Sequence, residues 1–158
     1  VQVVKHEHVP REDVKFLGHS IECRINAEDP RTFAPSPGLI QHFWAPGGPG
    51  IRVDTFAHSE CTVSPYYDAL LAKLTVHGRT WDETVRRTHR SLEEFVLRGV
   101  KTTIPFMGKI MEEPDFRAGR FDTSYLERHP ALFEYEEAEE PEDLVIALSA
   151  AIAAFEGL

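Results

Sequence analysis

The sequence has few of the residues that build metal centres and redox motifs. Its two cysteines, Cys23 and Cys61, lie 38 positions apart and belong to no CxxC pair, which excludes a readable zinc knuckle or thioredoxin-like motif. We therefore expect two reduced, buried thiols. His6 and His8 form a close pair in "HEH", but nothing nearby completes a set of three or four ligands. We predict no metal site.

Long apolar runs are also missing. No stretch approaches the roughly 20 residues that span a bilayer, and the first residues, "VQVVKHEHVPRED", lack the basic-then-apolar order of a signal peptide. The sequence contains neither a GxSxG nucleophile motif nor a Walker sequence. We expect a cytoplasmic protein with no membrane partner.

Positive charge is not concentrated on any stretch of the chain. The formal net charge is -9, but residues 134–143, "EYEEAEEPED", hold seven acids and no base, which leaves 19 acids against 17 bases elsewhere. The body of the protein is therefore close to neutral. Because no basic face with interleaved aromatics is present, nucleic acid is excluded as an expected partner.

Strand patterns dominate the first half of the sequence. From residue 19 to residue 26 apolar and polar residues alternate, which predicts a half-buried strand with Glu22, Arg24 and Asn26 on one face. Further strands are predicted at 39–44, 51–54 and 69–78. The segment "APGGPG" is predicted to form a tight turn between the strands at 39–44 and 51–54.

Helix patterns follow. Thr80 and Glu83 form a capping box, apolar residues up to Val96 recur near one face, and Gly99 supplies a stop. A second helix is predicted at 104–112, and a third opens at Pro141. This order of elements, with the strands first and the helices after them, predicts an α+β fold with helices packed on an antiparallel sheet. We divide the chain into a lead-in or linker (1–17), a domain (18–133), an acidic linker (134–143) and a C-terminal helix (144–158).

Arg24 is the residue with the most chemical interest. It stands among acids in "ECRINAEDP", and two interpretations are open. Either a carboxylate neutralises it internally, or neighbouring carboxylates orient its planar guanidinium toward an incoming anion. A second polar cluster, Tyr66, Tyr67 and Asp68, precedes the buried strand at 69–78. These aromatics are equally compatible with simple packing at the strand entrance.

Five blocks resemble, in order and spacing, the C-terminal domain of biotin carboxylase, over about residues 15–133. They are "GHSIECRINAEDP", "FAPSPGLI", "APGGPGIRVD", "SPYYDALLAKL" and "RGVKTTIPF". The segment "EPDFRAGRFDTSYLERHPALFEY" is more similar to the pyruvate carboxylase branch than to the bacterial acetyl-CoA carboxylase branch. The resemblance implies a part of an ATP-dependent ligase that carboxylates biotin with bicarbonate.

Residue roles follow from this resemblance. Arg24 matches the family arginine that contacts bicarbonate and the ureido oxygen of biotin, and Asp68 lies in a block that the family places near biotin. Glu22, Glu28 and Asp29 are then candidates for orienting Arg24. Arg52 matches an arginine of the family's dimer interface, but Pro49 stands where the family usually has phenylalanine. The resemblance therefore implies a possible homodimer with a weakened anchor.

The resemblance also implies which groups the rest of the enzyme provides. ATP and Mg²⁺ or Mn²⁺ would be bound by an ATP-grasp domain, and biotin would arrive on a biotin carboxyl carrier protein or domain. An N-terminal domain and a carboxyltransferase subunit complete the expected partners. Because no ATP-grasp motif is present here, we expect the isolated chain to be inactive. The alternative is a non-catalytic assembly or interaction module of a carboxylase complex.

Overall fold

A three-stranded antiparallel sheet forms the centre of the fold. The structure is a computed structural model that describes residues 15–134. Strand β6 (Leu70–Gly78) lies between β1 (His19–Asn26) and β4 (Ile51–Thr55). The predicted alternation along β1 is confirmed, because Cys23 and Ile25 are buried while Glu22 and Arg24 are exposed.

The β1–β6 ladder contains one irregularity. Arg24 pairs with Lys73 and Ile25 with Ala72, but Asn26 pairs with Leu70, so the pairing skips Leu71. The extra residue is a β-bulge in β6. Leu71 and Ala72 are consequently both buried although they are adjacent in sequence.

Two short ladders accompany the sheet and correct the prediction of one strand at 39–44. Strand β2 (Gly38–Leu39) pairs with β5 (Thr62–Val63), whereas β3 (His42–Trp44) pairs with β7 (Val96–Arg98). The chain changes partner at Ile40 and Gln41, whose amides donate to Cys61 and Arg98 respectively. The turn at 45–50 therefore joins strands of different sheets and does not close a hairpin.

Helix α1 (Trp81–Glu93) begins as predicted and ends early. The hydroxyl of Thr80 accepts a hydrogen bond from the amide of Glu83 at 3.2 Å. The predicted continuation toward Gly99 is wrong, because Val96–Arg98 forms β7. Ending the helix at Glu93 lets Phe95 turn into the core, where its ring meets Phe43 edge to face at 5.6 Å.

The other helices of the described part of the chain lie between residues 104 and 133. Helix α2 (Ile104–Glu112) matches its prediction, and Pro114 begins a further short helix, α3 (Pro114–Arg117). Helix α4 (Tyr125–Arg128) and a 3-10 helix (Pro130–Phe133) follow and were not predicted. None of the helices between residues 15 and 134 has the length and apolar character needed to cross a membrane.

Helices α1 and α2 cover one face of the central sheet. The main core lies between these helices and the sheet and is built from residues of β1, β6 and the helices. Its members Leu74, Val76 and Phe106 are nearly inaccessible to solvent. A second core beneath the short ladders contains Ala27, Ile40, Val63 and Leu71. This arrangement confirms the predicted α+β class.

The linker at 1–17 lies almost entirely outside the described residues, and the acidic linker at 134–143 and the helix at 144–158 lie outside them apart from Glu134. Both cysteines are free thiols. Cys23 is buried, as expected, and burial raises the pKa of its thiol to about 12. Cys61 is only partly buried, which corrects the expectation.

Candidate functional site

The sheet face opposite the helices carries two rows of polar residues. Cross-strand pairing places Arg52 of β4 and Glu22 of β1 on either side of Thr75, and Asp54 and Arg24 on either side of Lys73. We call these six residues the polar face. Because directly opposed residues of a sheet point to the same side, Arg24 lies in a surface of mixed charge rather than in an isolated basic patch.

Hydrogen bonds fix the backbone of Arg24, while its side chain stays accessible to solvent. Its carbonyl accepts a hydrogen bond from the hydroxyl of Thr103 at 3.1 Å, and the same hydroxyl accepts from the amide of Asn26 at 3.0 Å. The Thr103 amide in turn donates to the Asn26 carbonyl at 3.2 Å. Thr103, which is 2% exposed and precedes α2, thus fixes the edge of β1 beside Arg24. Sequence reasoning missed it.

The structure brings Arg24 and Asp68 together. Nη2 of Arg24 lies 3.7 Å from Oδ2 of Asp68, and the two side chains are 54% and 72% exposed. At this separation the contact is an ion pair without a close hydrogen bond. Tyr66 and Tyr67 beside Asp68 are 88% and 84% exposed. They therefore do not pack at the strand entrance, which was the alternative that the sequence left open. The guanidinium keeps donors for a further acceptor.

The three acids expected to orient Arg24 have other partners among residues 15–134. Glu22 faces Lys73 across the strands at 3.8 Å. Glu28 accepts a hydrogen bond from the side-chain amide of Asn26 at 3.2 Å. The structure therefore gives the place beside the guanidinium to Asp68.

Asp29 organises the irregular segment that follows β1. Its carboxylate accepts hydrogen bonds from the amides of Arg31 and Thr32 and from Nζ of Lys101, the last at 3.0 Å. The Arg31 amide, followed by the Lys101 ammonium, holds the pKa of Asp29 well below its usual range. Asp29 is thus a structural carboxylate that ties this segment to residue 101.

Arg52 and Pro49 lie on the exposed side of β4 and of the loop before it. The Arg52 guanidinium binds Asp54 in a bidentate pair, with Nε–Oδ2 and Nη2–Oδ1 distances of 2.9 Å each. This hydrogen bonding lowers the pKa of Asp54. Gly50, at φ +75°, packs so closely that a Cβ would lie 2.5 Å from the carbonyl oxygen of His77. The loop is therefore fixed to β6 at its end.

Comparisons with known proteins agree with this architecture. The family model of the biotin carboxylase C-terminal domain matches residues 22–128. The 2-oxoglutarate carboxylase small subunit of Hydrogenobacter thermophilus is 50% identical over 149 residues, which are 94% of this chain and 32% of the relative. Biotin carboxylase 1 of Bacillus subtilis is 47% identical over 77% of this chain and 27% of the relative.

A solved structure gives the same result. The biotin carboxylase domain dimer of the Hydrogenobacter thermophilus 2-oxoglutarate carboxylase, in complex with MgADP, ADP and bicarbonate, superposes with a TM-score of 0.78 at 49% identity. The match covers 83% of this chain and 29% of that one. The chain thus spans about a third or less of the length of these relatives. By sequence and by fold it belongs to the biotin carboxylase family, as a C-terminal domain.

Proposed function

We propose that this chain acts as the C-terminal domain of a biotin carboxylase and that Arg24 binds bicarbonate and the ureido oxygen of biotin. The accessibility of Arg24 carries the proposal. Its guanidinium is more than half exposed, and within residues 15–134 its ion pair is with Asp68, itself exposed. A planar guanidinium fork matches planar oxyanions through paired hydrogen bonds.

The chemistry assigned to Arg24 is electrostatic. In the parent reaction biotin accepts CO2 at N1', and ATP with Mg²⁺ or Mn²⁺ activates bicarbonate. Arg24 supplies fixed positive charge at the ureido oxygen, where negative charge grows as the N1' proton leaves. A preorganised donor of this kind typically contributes about 3 to 4 kcal/mol to lowering a barrier. Thr103 supports this role because it fixes the backbone from which Arg24 projects.

The remaining machinery is assigned to other parts of the enzyme. We infer that an ATP-grasp domain binds ATP and the metal, that this domain closes the active site over them, and that biotin is delivered by a carrier protein or domain. N-terminal and carboxyltransferase components complete the assembly. A homodimer through the Arg52 surface would be weak, since Asp54 already engages Arg52 and Pro49 offers no aromatic anchor.

The test is Arg24→Ala in the complete enzyme, measured as bicarbonate-dependent carboxylation of biotin. We expect a loss of about 100- to 1000-fold, with ATP binding and assembly unchanged. Arg86→Ala is the matched control, because Arg86 is another exposed arginine with one acidic partner, Asp82, at 3.0 Å. Full carboxylation in Arg24→Ala would refute the assigned role. Subunit dissociation with intact chemistry would instead favour the assembly module.

The isolated 158-residue chain provides a second test. Because the proposed ATP and metal ligands belong to another domain, we expect no bicarbonate-dependent ATP hydrolysis and no carboxylation of free biotin. Either activity in the purified chain would contradict the assignment of the ATP and metal ligands to another domain. Recovery of activity on adding the missing domains would support it.

A further inference from the structure

A second cluster of ionisable side chains lies at the other end of the domain sequence. Glu113 follows α2, Asp115 belongs to α3, and His129 follows α4. Nε2 of His129 lies 3.7 Å from Oε1 of Glu113 and 3.5 Å from Oδ2 of Asp115. One ligand atom from each residue falls within 4.8 Å of the other two. The histidine and Glu113 side chains are only 20% and 19% exposed.

Each of the three groups is oriented by its other polar atom. Nδ1 of His129 lies 2.8 Å from the carbonyl oxygen of Tyr125, so Nδ1 carries the proton and donates it there. Oε2 of Glu113 accepts from the Tyr125 hydroxyl at 2.7 Å and from the amides of Asp115 and Phe116. Oδ1 of Asp115 accepts from the guanidinium of Arg120. Outer hydrogen bonds of this kind fix ligands at metal sites.

The arrangement of the cluster suits a cation. If Nε2 of His129 carries no proton, its lone pair faces Oε1 of Glu113 and Oδ2 of Asp115. These three electron-rich atoms repel one another unless a positive charge lies among them. Both carboxylates accept a hydrogen bond at the outer oxygen, Glu113 from the Tyr125 hydroxyl and Asp115 from the Arg120 guanidinium, and the other oxygen of each faces Nε2. A cation placed between these three atoms is either a proton on Nε2 or a metal ion.

The spacing is compatible with a metal ion. Separations of 3.5 and 3.7 Å exceed the 2.7–3.2 Å of a good N–H···O hydrogen bond. They lie close to the distance between two ligands of a tetrahedral zinc ion, which is about 3.3 Å when each bond is about 2.0 Å. Small side-chain adjustments would bring all three atoms to bonding distance.

We propose that Glu113, Asp115 and His129 form a site for a divalent transition-metal ion of the zinc class. Oε1, Oδ2 and Nε2 are the protein ligands, and the fourth position is left to water. The ion would join the α2–α3 junction to the end of α4 across 16 residues of chain. This differs from the expectation of no metal site, which rested on the absence of a local ligand motif.

The test uses the 158-residue chain with His6→Gln and His8→Gln in every sample, so that the "HEH" pair does not contribute. Zn²⁺ is titrated by calorimetry at about pH 8, where an ordinary imidazole is neutral, and Co²⁺ serves as the spectroscopic substitute. We expect saturable 1:1 binding and the intense visible absorption of four-coordinate Co²⁺. His129→Gln and Asp115→Asn should each weaken binding at least about tenfold.

His89→Gln is the matched control. His89 also contacts two carboxylates, but through different ring nitrogens, Nε2 toward Glu112 at 3.0 Å and Nδ1 toward Glu93 at 3.5 Å, so the three do not share one ion. Its variant should bind Zn²⁺ like the background chain. Circular dichroism of each metal-free variant establishes that folding is retained, and Asp115→Asn carries the test if His129→Gln does not fold.

Three results would overturn the proposal. They are no saturable binding up to about 1 mM Zn²⁺, binding that is unchanged in both ligand variants, and a nitrogen NMR signal showing His129 Nε2 still protonated in excess Zn²⁺. The last result would show that His129 is protonated and forms ion pairs with the two carboxylates.

Discussion

Asp68 lies beside Arg24 across an Nη2–Oδ2 distance of 3.7 Å, and neither side chain is shielded from solvent. Exposed pairs of this kind contribute about 0–1 kcal/mol to stability. We therefore predict that Asp68→Asn changes the free energy of unfolding of the chain by less than about 1 kcal/mol, measured by urea denaturation. In the complete enzyme, carboxylation should fall less than in Arg24→Ala, because the guanidinium remains. A loss equal to that of Arg24→Ala would show a direct role for Asp68.

Thr103 is predicted to be far more important for stability than its single hydroxyl suggests. Thr103→Val keeps the shape but leaves the Asn26 amide and the Arg24 carbonyl without their side-chain partner. An unsatisfied buried backbone group costs about 1–3 kcal/mol, and we expect a loss of that size in urea unfolding. Thr123→Val, at an exposed turn position, is the control. Equal stability of the two variants would contradict the role given to Thr103.

The two glycines of the 45–50 loop should respond differently to alanine. Gly50 has φ +75°, and a Cβ would collide with the His77 carbonyl, so Gly50→Ala should lower stability by about 2 kcal/mol or more. Gly47 has no neighbour within 4 Å of a Cβ, so Gly47→Ala should be close to neutral. Thermal unfolding of both proteins checks this, and similar melting temperatures would show that the loop yields.

Asp29 should contribute to the loss of stability at low pH. Its pKa is lowered in the folded state, so its stabilising effect is present above the unfolded pKa of about 3.9 and disappears as pH falls through the folded value. We predict that Asp29→Asn is less stable than the parent at pH 7 and that the difference shrinks steadily below about pH 4. Urea unfolding at several pH values measures it. A difference independent of pH would mean that the carboxylate charge is not responsible.

Local signals in the sequence were sufficient for the elements and faces that depend only on neighbouring residues. Alternation placed Arg24 on the exposed side of β1, and the Thr80 cap placed the start of α1. Pairing between distant segments was not readable. The split of residues 38–44 between β5 and β7 depends on which strands lie alongside, and Val96 fits a helical face although it pairs in a strand.

The same limit applied to the sites. Sequence singled out Arg24 and Asp68, but their contact depends on the pairing of β1 with β6. Thr103 gave no signal because a threonine before a helix is common, and its hydrogen bonds run to a strand 77 residues away. Glu113, Asp115 and His129 form no recognisable spacing, and only the turns around α3 and α4 bring them together.

The bulge at Leu71 affects how close Asp68 comes to Arg24. In an uninterrupted ladder the residue opposite Asn26 would be Leu71, whereas here it is Leu70. The extra residue moves everything before it, Asp68 included, one strand position toward Arg24, which is about 3.3 Å. If Leu71 paired with Asn26 instead of being skipped, the carboxylate would move away from the guanidinium while both side chains stayed intact. The register of β6 against β1, as well as residue identity, therefore decides whether these two groups meet.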